Sequence, residues 1–278
     1  MITFSLICCC HAGKSGGTGM YFTELTDESV RNLNMRKVTT LFCAALTTLA
    51  AIPVTAGAAI ALDRTRVIYN EGDKAVPLTV TNEHLSKPYL AQSWIENSTG
   101  QKITSPVFVT PPVQRIEPDR KSQIKVQLSP EAASLPADRE SVFYLNVREI
   151  PPAVEKSNVL QIALQTKIKL FYRPKAIQVQ ERMEKIAGAD GIRLSQNGGQ
   201  YTIENTTPYH LSVTRLDATG GKEVKFEPVM VSPKASASFS APALGNAPVV
   251  YYVNDYGDTK PLKFSCAGSS CTVQSDSK

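Results

Sequence analysis

Histidine is scarce in this chain, at 3 of 278 residues, and only His84 and His210 lie beyond residue 58. Each stands alone in a polar, turn-like context, with no H-E-x-x-H helix, G-x-S-x-G elbow or metal-spaced cluster around it. The groups that most often move protons near neutral pH are thus missing, and an enzymatic reading has no constellation to rest on. Carboxylates are plentiful, but no spacing singles out a pair, and solvated surface accounts for each. The net charge is only +5 with no long run of one sign, and no basic stripe carries interleaved aromatics, so nucleic acid is not an expected partner. "GKSGGTG" (13–19) lacks the G-x-x-x-x-G-K-[ST] spacing of a phosphate loop.

Cysteine is also rare where it would matter. Four of the 6 cysteines (Cys8, Cys9, Cys10, Cys43) precede residue 59, which leaves Cys266 and Cys271. An even pair in an exported chain reads as one disulfide. Two free thiols or half a metal site are the alternatives, the second disfavoured because no histidine is near.

One uncharged, mostly apolar run is present, Val38 to Ile52, preceded by Met35-Arg36-Lys37 and followed by the small residues Ala56-Gly57-Ala58. A positive start, a short apolar stretch and a small-residue site are the parts of a secretory signal peptide, here 35–58, with the mature chain beginning at Ala59. The run is short of the about 20 residues that span a bilayer. Residues 1–34 then read as an upstream extension ahead of the true start at Met35.

Helical periodicity is missing as well; only "PEAASLPADRE" (130–140) hints at it, and its two prolines limit it to about a turn. What the chain does have is alternation. "AIALDRTRVIY" (59–69), "AVPLTVTNE" (75–83), "YLAQSWIEN" (89–97), "FVTPPVQRIEP" (108–118), "SQIKVQL" (122–128) and "VFYLNVREI" (142–150) are short β-type runs about ten residues apart. That spacing predicts an antiparallel sandwich. Beyond Pro174 an Asn197-Gly198 turn between alternating segments marks a hairpin, and further short runs predict a second all-β domain. The expectation is two sandwiches, 59–174 and 175–278, joined at an angle with a cleft between them.

The run "NVLQIALQTKIKLFYRP" (158–174) is unusually long for a strand. Leu160, Ile162, Leu164, Ile168, Leu170 and Tyr172 share one face, with Thr166 among them. Such a face can line the sandwich core. Alternatively the strand lies at an edge and lends its apolar residues to a partner.

These segments, with "TPPVQRIEP", "LPADRESVFYLNVREIPP", "IENTTPYH" and "VNDYGD", closely resemble the periplasmic pilus-assembly chaperones of the chaperone–usher pathway, across about residues 59–274. The resemblance implies two immunoglobulin-like domains. It also implies a function: binding pilin subunits and adhesin, completing their unfinished sandwich with a donated strand, and delivering them to an outer-membrane usher without a cofactor or metal. Leu160, Ile162 and Leu164 are then the groove-filling residues. Arg66 and Lys169 anchor the subunit's C-terminal carboxylate, which sets the register. Glu140, Arg173 and Asp255 form an interdomain ion-pair network. The short connection "EIPPAVEKSNVL" resembles the subfamily that serves rod-like adhesive pili. An uncovered donor strand also allows a self-capping homodimer. The alternative is a structural or adhesive pilus subunit, against which stands the absence of a separate donor extension after Ala59; an exported hydrolase or sugar-binding module is a more distant third.

Overall fold

The computed structural model describes residues 59–153 and 161–274. The expected upstream extension, the expected signal peptide and Leu160 lie outside the described residues. No helix among the described residues is long and apolar enough to cross a membrane.

The first domain contains β1 (Ile60–Leu62), β2 (Arg66–Asn70), β3 (Val76–Asn82), β4 (Tyr89–Glu96), β5 (Lys102–Ile103), β6 (Val107–Thr110), β7 (Val113–Ile116), β8 (Lys121–Leu128), β9 (Ser141–Ile150) and β10 (Gln165–Arg173). They form two facing sheets, one ordered β1-β3-β8-β6 and the other β2-β10-β9-β4-β5, with β7 also on β4. Between them lies a core that includes Val67, Leu78, Val80, Ile95, Ile124, Leu145 and Leu170. Inward residues alternate with outward ones along β3 and β4, as one buried face per strand demands. The segment 130–140 contributes only the single 3-10 turn Pro130–Ser134.

Two runs that read as single strands are each broken in two. Residues 59–69 divide at Asp63-Arg64-Thr65: β1 pairs with β3 in one sheet and β2 with β10 in the other. Residues 108–118 divide at Pro111-Pro112, where two successive residues lack the N–H that a ladder needs; β6 stays on β8 and β7 crosses to β4. Such sheet-switching closes the sandwich edges.

The second domain contains β11 (Arg193–Asn197), β12 (Gln200–Asn205), β13 (Leu211–Ala218), β14 (Lys222–Val224), β15 (Val229–Val231), β16 (Ala235–Ser240), β17 (Val249–Val253), β18 (Thr259–Ala267) and β19 (Ser270–Val273). The Asn197↔Gln200 register leaves Gly198 and Gly199 as the two turn residues, both at positive φ, which glycine adopts without strain. Strand β18 belongs to both halves of this domain: its first part pairs with β17 and its second with β19. The sheet so folded wraps a separate core around Ile192, Leu194, Ile203, Leu211, Leu216 and Phe264.

The strand at 158–172 is shorter than its alternation predicts. Regular β10 begins at Gln165, paired with β9 from there and with β2 only from Lys169 onward. Residues 161–164 belong to no ladder and have no apolar layer to cover; Ile162 and Leu164 are 66% and 44% exposed. Alternation describes which face is greasy, whereas a strand also needs a neighbour to bond.

Candidate functional site

The parallel pairing of β2 with β10 sets Arg66 directly opposite Lys169. Both side chains are half-buried, and both reach across to the second domain: Arg66 Nη1 donates to the Val253 carbonyl at 2.9 Å, and Lys169 Nζ to the Ser212 hydroxyl at 2.8 Å. Arg66 also lies over the Phe171 ring, 5.8 Å from its centroid. Among the described residues neither cation has a carboxylate within ion-pairing distance, and the buried Nε of Arg66 has no hydrogen-bond partner.

This environment disfavours both charges. Burial lowers the Arg66 pKa despite the opposing pull of Asp255 and Glu140, and burial together with the neighbouring Arg66 charge lowers that of Lys169. Two desolvated cations side by side, one with an unused donor, suit a bound anion.

Four residues farther along β10, Arg173 is 2% exposed and fully paired. Its Nε and Nη2 donate to Glu140 Oε1 at 3.0 and 2.7 Å, and its Nη1 and Nη2 to Asp255 at 2.9 and 3.0 Å. Burial opposes the charge, but the Asp255 and Glu140 carboxylates outweigh it and hold the guanidinium above its ordinary range. The acceptors are themselves held: Glu140 Oε2 takes the His210 N–H at 2.8 Å, and Asp255 Oδ2 the Met183 N–H at 2.9 Å. Glu140 comes from the first domain and Asp255 from the second, so Arg173 ties one to the other.

His210 is not in the exposed polar turn that its sequence neighbours predict. Its side chain is 4% exposed, with Nδ1 3.4 Å from Glu140 Oε2 and its ring against Phe171, because the turn before β13 packs into the domain junction. His84 stays in a loop, where its Nδ1 accepts the Ser86 and Lys87 N–H groups. Among the described residues no three His, Cys, Asp or Glu side chains converge as a metal would require. The cavity between Arg66, Arg173, Tyr209 and Asp255 is only about 20 Å³, room for a water and not for a small-molecule ligand.

Cys266 and Cys271 face each other across the β18–β19 hairpin and are bonded as a disulfide. Ile162 and Leu164 stand exposed just ahead of β10, whose residues 165–168 are paired with β9 alone. Sequence reasoning misses Ser212 and the Val253 carbonyl, since neither a lone serine nor a backbone oxygen carries a signal before the domains come together.

The two domains match family models for the pili and flagellar-assembly chaperone PapD N-terminal domain, over residues 59–178, and the pili assembly chaperone PapD C-terminal domain, over 188–264. Chaperone protein PapD of Escherichia coli is 46% identical over 82% of this chain and 97% of its own length. Chaperone protein PmfD of Proteus mirabilis is 40% identical over 84% and 93%. Among solved structures, the periplasmic chaperone SfaE aligns with a TM-score of 0.59 at 33% identity, covering 73% of this chain and 98% of that one. A chain of the Salmonella enterica SafA pilin–SafB chaperone complex aligns with a TM-score of 0.65 at 25% identity over 76% and 98%. These relatives are chaperones over nearly their whole length, which tells against the pilus-subunit alternative. The chain belongs to the PapD-like family of pilus-assembly chaperones of the chaperone–usher pathway.

Proposed function

We propose that this protein binds pilin subunits and the adhesin in the periplasm, anchors each subunit's C-terminal carboxylate on Arg66 and Lys169, and lends it the strand leading into Arg173 before an outer-membrane usher takes it. The observation that carries this reading is the pair of adjacent, half-buried cations without a carboxylate partner among the described residues, one with a buried unused donor. A single carboxylate supplies what both lack. At 4 Å and an effective dielectric near 20 each such pairing is worth about 4 kcal/mol before desolvation.

The anchor then fixes register for the apolar residues ahead of it. Ile162 and Leu164 are exposed beside an open strand edge, ready to fill an incomplete sandwich, and Leu160 continues the same alternation. Full burial of each contributes about 1.5–3 kcal/mol, offset in part by the cost of association. The network of Glu140, Arg173 and Asp255 serves as the brace that keeps the anchor's two halves aligned. Export by the 35–58 segment with processing before Ala59 fits the start of the family match at residue 59, and the Cys266–Cys271 bond fits an oxidising compartment. The role is stoichiometric binding and not catalysis.

A peptide copying a subunit's C-terminal strand, made as the free acid and as the amide, tests the anchor. The free acid is expected to bind the wild-type protein at least tenfold more tightly than the amide. That preference should vanish in Arg66→Ala/Lys169→Ala while the unfolding temperature holds. Equal binding of acid and amide to the wild type would refute the anchor.

A further inference from the structure

Glu149 is a buried carboxylate for which the anchor and the brace have no use. It lies near the end of β9, is 5% exposed, and faces no basic side chain within ion-pairing distance among the described residues. Its oxygens are nonetheless fully engaged by backbone. Oε2 accepts the N–H of Ala59 at 2.8 Å and of Ile60 at 3.2 Å, and Oε1 accepts that of Leu164 at 3.2 Å. The Glu149 N–H in turn donates to the Leu164 carbonyl at 3.0 Å. One residue therefore clasps the start of the first strand and the last residue of the segment that precedes β10. Ala59 is held from its other side as well, its carbonyl taking the Glu83 N–H at 2.7 Å.

A buried carboxylate without a cation is costly, and hydrogen bonds from neutral amides compensate it only in part. The missing cation is supplied if the chain is cut before Ala59. Water then adds across the Ala58–Ala59 peptide bond; its oxygen goes to the new Ala58 carboxylate, and Ala59 is left with an α-ammonium at the position that already lies 2.8 Å from Oε2. We infer that Glu149 is a positioning residue that couples removal of the export signal to the donor strand: the new α-ammonium pairs with one oxygen while the other holds Leu164 in register.

In the uncut precursor the same nitrogen is a neutral amide, and the clasp on Leu164 is weaker for it. The strand is thus firmly set only in a chain that has been processed. The consequence for subunits rests on the reading given under Proposed function, but the coupling itself is internal to the chaperone and can be read without cargo.

Two measurements on the processed protein test it. The α-amino group is expected to titrate at least one unit above its usual value of about 7.7–8.0, and to return to that value in Glu149→Gln. Amide exchange at Leu164 is expected to quicken about tenfold when the α-amine is acetylated, relative to Leu145 in the core as an internal reference. The acetylated wild-type protein decides the matter even if Glu149→Gln does not fold. An ordinary α-amino titration, unchanged exchange at Leu164, or a mature chain starting elsewhere than Ala59 would each overturn the inference. Equal binding of acid and amide peptides would instead count against the carboxylate anchor and leave this coupling standing.

Discussion

Strand β10 carries two cationic clusters four residues apart, and they are built in opposite ways. Arg173 makes four hydrogen bonds to two carboxylates whose own lone pairs are further engaged, in a buried site. Lys169 and Arg66 each touch one neutral oxygen of the second domain and no carboxylate among the described residues. The first arrangement is complete and gains nothing from a ligand. The second leaves two partly desolvated cations without a paired carboxylate among the described residues, which is what the proposed anchor requires. Proximity in sequence therefore says little about role; the supply of counter-charge decides it.

The largest way to test this contrast is to remove each cation in turn. Arg173→Ala strands two buried carboxylates and is expected to cost about 3–5 kcal/mol of stability by denaturant unfolding. Arg66→Ala, by relieving a half-buried charge with no carboxylate at ion-pairing distance among the described residues, is expected to leave stability within about 1 kcal/mol of the wild type. Equal losses for the two would erase the distinction.

A smaller effect is expected at Ser212, whose hydroxyl aims Lys169. Loss of one hydrogen bond worth about 1 kcal/mol should weaken binding of a free-acid subunit peptide about fivefold in Ser212→Ala. Ser212→Thr, which keeps the hydroxyl, should recover it. A valine at this position that binds as well as threonine would show that shape alone matters there.

The smallest effect is a pH dependence. The Lys169 pKa is lowered in the folded protein, by burial first and Arg66 second, so between that value and its unfolded value of 10.5 the unfolded chain holds more protons. The penalty for charging Lys169 is fully present below the folded pKa and is relieved as pH rises toward 10.5. Wild-type stability minus that of Lys169→Met should therefore increase over the alkaline range. A flat difference would mean that the ammonium is effectively solvated.

Much of the architecture is legible in the sequence because a half-buried strand must alternate, and turns need residues such as Asn197-Gly198-Gly199. The breaks inside 59–69 and 108–118 are harder to see, since both sides of each break alternate equally well and only the pairing partner changes. The overlong strand at 158–172 illustrates the same limit: its greasy face extends to Leu160 and beyond, but ladder formation on the β2 side begins at Lys169. Residues 66, 169, 140, 173 and 255 are singled out by resemblance alone, and no local pattern marks them. Glu149 sits in the recognisable "VREIPP" segment, and His210 in "TTPYH", but their surroundings are made by residues 15 to 90 positions away.

The sequence by itself determined the all-β class, the two-domain division and the inward face of most strands, because those follow from local alternation and turn chemistry. Only the tertiary structure decided which charges are answered. Arg66, Lys169, Arg173 and Glu149 are alike in being charged residues on strands, and what separates them is the set of atoms that folding brings within 3 Å. That set comes from other strands and in part from the other domain, and no local pattern encodes it.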